Sequence, residues 1–114
     1  MQLNLSTSTS ELDGNLREVV LKVQVEVKQE DKTIYLVEVQ QAGIFTIQGF
    51  DGNELKAVLG SYCPSLLYPY AREAVSDLVG KGGFPQLLLQ PVNFDRLYQK
   101  AQEQLAASTP AGNA

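Results

Sequence analysis

Histidine is absent from this 114-residue chain and cysteine occurs once, at Cys63. The first absence excludes an imidazole general base, a Cys–His nucleophile pair and any histidine zinc site. The second leaves no internal disulfide, which fits a reducing compartment. Long apolar runs are also missing: none approaches the ~20 residues that span a bilayer. Met1 to Leu5 alternates apolar and polar residues and lacks the basic start and apolar run of an export leader. No direct membrane insertion is therefore expected, and the sequence reads as a soluble, cytoplasmic protein. Basic charge is scarce too, with nine Lys and Arg against thirteen Asp and Glu, a net charge of −4. The basic residues stand singly, so no stripe is available to neutralise phosphates and nucleic-acid binding is disfavoured.

What remains is an ordinary globular composition, 44% hydrophobic and 19% charged, of single-domain length. So small a chain buries a modest share of its surface, and a subunit interface would help to stabilise it. Catalytic constellations do not emerge. Glu73 and Asp77 are four apart on an expected helix, which is the usual pattern of a solvated face. Cys63 precedes Pro64 with nothing to activate it and reads as a small buried hydrophobe. Gly80-Lys81-Gly82-Gly83 lacks the spacing and setting of a phosphate loop. No enzyme activity, cofactor or metal is expected.

The positive signal is patterning. Leu3 and Leu5 open a short alternating segment before the Ser/Thr tract 6–10, and Asp13-Gly14-Asn15 reads as a turn. Val19, Leu21, Val23, Val25 and Val27 then share one face of a half-buried antiparallel strand. A polar turn at 29–32 leads into a second strand, with Tyr35, Val37 and Val39 on one face and Ile34, Leu36 and Glu38 on the other. That second face is either an exposed apolar and acidic docking surface or a strand buried on both sides with Glu38 at its rim. Gly43 suggests a kink or bulge before Ile44 and Phe45. A short helix is predicted over 54–59, closed by Gly60. A longer one is predicted from Pro64 or Pro69 to Val79.

Leu67, Tyr70, Ala71, Ala74, Val75, Leu78 and Val79 form a stripe broad enough to face both the sheet and a second subunit, core packing alone being the alternative. Glycines at 80, 82 and 83 end that helix, and 84–92 is extended between prolines. Asn93 is a candidate N-cap for a C-terminal helix with the stripe Phe94, Leu97, Tyr98, Ala101 and Leu105. Residues 106–114 are expected to be a disordered tail after a domain of residues 1–105.

The stretches EVQQAGIF at 38–45, SYCPSLLYPYARE at 61–73, and GFPQL at 83–87 leading into PVNFDRLY at 91–98 together resemble the SecB family of bacterial export chaperones. The resemblance covers about Glu18 to Tyr98. It implies an α+β fold, an antiparallel sheet packed against a long helix with a C-terminal helix nearby. It further implies a homotetramer, a dimer of dimers, that binds unfolded precursor proteins in apolar grooves without nucleotide and delivers them to the SecA motor ATPase. On this resemblance Leu36 and Glu38 contact SecA. Leu3, Leu5, Ile44, Phe45, Phe84, Phe94, Leu97 and Tyr98 line the groove. Gln41, Leu67, Tyr70, Ala74 and Leu78 lie at subunit contacts. Family members carry a further N-terminal strand and acidic residues, and Met1 falls at the family's second strand. A SecB-like chaperone serving a toxin–antitoxin pair, or an oligomeric adaptor for a folded partner, are the other readings.

Overall fold

The computed structural model describes residues 1–108. Three antiparallel strands, β1 (Gln2–Glu11), β2 (Leu16–Gln29) and β3 (Lys32–Thr46), form one sheet in the order β1-β2-β3. Period-two alternation makes β2 the central strand and aims Val19, Leu21, Val23 and Val25 at one face, where all four are fully buried. The Ser/Thr tract does not interrupt β1. It continues the strand to Glu11, because pairing with β2 in a regular register satisfies its backbone whatever the side chains are. Both hairpin turns fall where polar residues cluster. Gly14 takes φ 66°, and Glu30 and Asp31 take φ 53° and 65° in the two-residue link between Gln29 and Lys32.

The irregularity in β3 is not at Gly43. Val19 pairs with Gly43 in unbroken register, and the shift lies between Val27 and Lys28, opposite the extra residue Ile34. Gly43 serves a different need. A methyl group there would stand 2.9 Å from Leu67 Cδ2, so the bare backbone lets the helix layer come close.

The helices form the second layer of a slab only 20 Å thick in its shortest dimension. α1 (Gly52–Ala57), a π-helical turn (Val58–Tyr62) and α2 (Cys63–Lys81) follow one another, with right-handed helical backbone at each junction. Gly60 therefore does not close a helix, nor does helical structure begin at Pro64; both lie inside a helical run from 52 to 81. Leu67, Ala71, Val75 and Val79 recur every four residues and pack against the β2 valines and Val39. Just past Lys81 the helix is closed at Gly83, whose φ of 86° permits the pair of bonds Gly83 N–H to Gly80 O (3.0 Å) and Phe84 N–H to Val79 O (3.2 Å). An irregular stretch follows, pinned by Leu89 in the core and by Tyr68 Oη donating to Gln90 O at 2.6 Å. α3 (Phe94–Ser108) then starts on Asn93, whose Oδ1 accepts from Arg96 N–H at 3.0 Å as an N-cap should. α3 includes 106–108; the rest of the expected tail, 109–114, lies outside the described residues.

Candidate functional site

Alternation along β1 turns Leu3 and Leu5 to the helix side, opposite Val25 and Val23. The N-cap at Asn93 sets α3 running beside them, so that Leu97 and Tyr98 face the same space. Between the two elements lies an open trough of about 600 Å³. Leu3, Asn4, Leu5 and Thr7 form one wall, and Phe94, Leu97, Tyr98 and Ala101 the other, with Leu21, Gly60 and Val92 completing it. No formally charged side chain lines the trough. Its chemistry is that of burial: it can take apolar side chains from water without demanding a particular sequence.

The wall residues are not equivalent. Phe94 is only 6% exposed and meets Tyr68 edge-on at a centroid distance of 5.6 Å, so it anchors α3 to the core. Leu97 is 44% exposed and presents itself to the trough. α3 is positioned by two contacts with the π-helical turn. Tyr98 packs flush on Gly60, where a Cβ would fall 2.6 Å from two ring carbons, and Ser61 Oγ donates to Asp95 Oδ1. These contacts join residues 34 and 38 positions apart, and nothing local in the sequence signals either pairing.

Three expected groove residues lie outside this trough. Ile44 and Phe45 are neighbours on one strand and must point to opposite faces. Ile44, 64% exposed, stands on the open face of the sheet, while Phe45 packs against the core near Gly43. Phe84 packs against Tyr35, with ring centroids 4.8 Å apart and the planes tilted by 45°.

The open face of the sheet carries a second surface. Leu36 is 53% exposed there, beside Ile34 and opposite Glu26 in the pairing register. Glu38 is also exposed, held by Lys22 Nζ at 3.4 Å and approached by Gln40 Nε2 at 3.5 Å. The face is thus not buried on both sides: it is a mosaic of apolar and charged groups open to solvent.

A third surface runs along α2. Gln41, Tyr70 and Ala74 line one shallow trough, with Arg72, Glu73 and Asp77. Tyr70 and Leu78 are exposed, Ala74 is half-buried, and Leu78 is outside that trough. Leu67, expected at a subunit contact, is instead a core residue, because the four-residue repeat through Ala71 turns it towards the sheet. Burial raises the pKa of the Cys63 thiol. It also raises that of the Tyr68 phenol, against a smaller opposing effect of Arg72. Neither group lines any of the three surfaces. Among the described residues no helix is long and apolar enough to cross a membrane, and no cluster of potential metal ligands is found.

A family model described as preprotein translocase subunit SecB matches residues 1–105. A protein-export protein SecB from Methylococcus capsulatus is 56% identical over 114 residues, covering 96% of this chain and 74% of that one. Its counterpart from Alcanivorax borkumensis is 55% identical over 101 residues, covering 87% and 64%. That from Hydrogenovibrio crunogenus is 50% identical over 109 residues, covering 96% and 73%. The chain thus spans roughly two thirds to three quarters of each relative's length. Among solved structures, a Mycobacterium tuberculosis SecB-like chaperone in complex with a peptide from an antitoxin shares the fold. The TM-score is 0.59 at 22% identity, over 80% of this chain and 72% of that one.

Proposed function

The chain belongs to the SecB family of protein-export chaperones, and from that premise we propose that it is an ATP-independent holdase for unfolded precursor proteins. The observation that carries this reading is the uncharged apolar trough between β1 and α3. At about 25 cal/mol per Å², covering on the order of 400 Å² of apolar surface yields roughly 10 kcal/mol before costs. Ordering the captured segment consumes much of that, so a single trough binds modestly. Several troughs on one assembly hold one long client through effective concentration. Folded proteins escape, since their apolar segments are already buried. No step in this cycle calls for bond chemistry or a cofactor.

Two further surfaces complete the proposal. Leu36 and Glu38 on the open face form the contact for SecA, an apolar anchor beside an acidic group, well separated from the trough by the thickness of the sheet. The outward side of α2, with Gln41, Tyr70, Ala74 and Leu78, joins copies into a tetramer working in the cytoplasm. Residues 1–105 are the working unit. A dedicated antitoxin client is the second reading, motivated by the M. tuberculosis chaperone in complex with an antitoxin peptide. The 50–56% identity to protein-export relatives favours export.

The test is light scattering during dilution of a chemically unfolded precursor, without nucleotide. Suppression near one assembly per client is expected. A folded sample that leaves aggregation unchanged would sink the holdase reading.

A further inference from the structure

Ser76 lies on α2, only 5% exposed, and its hydroxyl is the one buried side-chain polar atom without a hydrogen-bond partner among the described residues. A hydroxyl removed from water and left unpaired bears the full loss of its hydration, and folded proteins rarely tolerate this. Most buried serines would be satisfied within their own chain. This one is among the residues lining the trough that also holds Gln41, Tyr70, Ala74, Arg72 and Asp77.

The chemistry of that trough is self-complementary. It carries a cation, Arg72, and an anion, Glu73, along one helix, with Asp77 beside them paired to Lys81 Nζ at 2.9 Å. Two copies related by a two-fold axis present the same patch to each other in opposite directions, so the cation of each can face an anion of the other. Gln41 adds an amide that both donates and accepts, and exposed Tyr70 supplies an aromatic anchor. Ser76 needs only a turn about one bond between staggered positions to offer its hydroxyl outward.

We propose that Ser76 is a specificity-determining residue of the contact between two α2 helices, its hydroxyl hydrogen-bonded by a polar side chain of a second copy of this chain, with Gln41 of that copy the best-equipped group. The inference rests on the reading above that α2 carries a subunit contact, and it adds the polar key that fixes the register of that contact. An apolar stripe alone allows helices to slide, whereas a buried polar pair rewards one alignment.

Sedimentation equilibrium on the full chain, comparing wild type with Ser76→Ala and Ser76→Thr, tests this. Ser76→Ala should raise the dissociation constant of assembly about tenfold, equivalent to about 1.4 kcal/mol. Ser76→Thr, which keeps the hydroxyl, should stay close to wild type. Thermal unfolding of the dilute protein should not fall in Ser76→Ala, since the lost group has no partner within the chain. If Ser76→Ala assembles as tightly as wild type while wild type is oligomeric, the hydroxyl is not the key, though the α2 contact survives. A wild-type chain that stays monomeric at every concentration would overturn the α2 contact itself and this inference with it.

Discussion

Two amphipathic helices lie on the same face of the sheet and are held in different ways. α2 sets Leu67, Ala71, Val75 and Val79 into the valine face of β2, a continuous four-residue ladder of buried contacts. α3 has one comparable anchor, Phe94, and otherwise rests on the π-helical turn through Tyr98 on Gly60 and Ser61 on Asp95. The sheet-facing part of the α2 stripe is consumed by the fold, and Tyr70 and Leu78 stay exposed on its outward side. The stripe of α3 is also only partly consumed, and the remainder forms the wall of a trough. An amphipathic pattern in a sequence therefore identifies surface that must leave water, without saying whether the chain itself or a guest will cover it.

The comparison breaks most severely on the α2 side. Leu67→Ala removes a buried side chain that fills the notch over Gly43, and it should lower stability by about 2–5 kcal/mol. Chemical denaturation would read the loss, and client capture should fall with it because the sheet under the trough is shared. An undiminished denaturation midpoint would mean that α2 is not the helix the fold depends on.

On the α3 side, Gly60→Ala places a methyl group against the Tyr98 ring, which cannot bend aside as an aliphatic chain can. Overpacking of this kind costs about 1–3 kcal/mol. Here the strain should be relieved by α3 moving outward. Hydrogen exchange should show faster amide exchange in α3 with α2 unchanged. Equal loosening of both helices would show that they form one cooperative unit.

The difference between the helices marks the limit of what could be read from sequence. β2 was plain from its valine alternation, and the start of α3 from Asn93, because both signals are local. Gly60 reads as a helix end and Pro69 as a possible helix start, yet both lie inside helical structure. Gly60 is required by Tyr98, 38 residues on, a contact no local pattern reveals. Pro69 is accommodated within α2 although its missing N–H leaves the Ser65 carbonyl without its ladder partner. Leu3, Leu5, Phe94, Leu97 and Tyr98 were expected together and are found together. Ile44 and Phe45, expected beside them, stand on opposite faces of the sheet, as adjacent strand residues must.

A smaller effect should appear at alkaline pH and belongs to α2 alone. Cys63 and Tyr68 both have folded pKa values raised by burial above their ordinary values of 9.0 and 10.0. Their neutral forms are favoured in the folded chain, so their contribution is complete below those ordinary values. It declines as pH rises from there through the folded pKa, because the unfolded chain loses these protons first. Thermal stability should therefore fall above about pH 9, and Cys63→Ala should delay the first part of that fall. An unchanged alkaline profile in Cys63→Ala would assign the decline to Tyr68 or to other groups.

The smallest effect on stability is the most informative about function. Leu97 is 44% exposed on the trough wall, so Leu97→Asp removes little that the fold relies on and should change stability by only about 0.5 kcal/mol. The same change puts a carboxylate where an apolar client segment would be buried, and a charge facing such a surface must either stay hydrated or be desolvated at a penalty. Suppression of aggregation should weaken markedly while the folded fraction stays the same. Leu36→Arg, on the far side of the sheet, is the matching control: it should leave suppression intact and weaken the affinity for SecA. If Leu97→Asp captures clients normally while remaining folded, the unfilled face of α3 is ordinary surface and the distinction between the two helices has no functional content. If both substitutions impair both activities, the two faces of the sheet are coupled, and the separation of trough from docking surface fails.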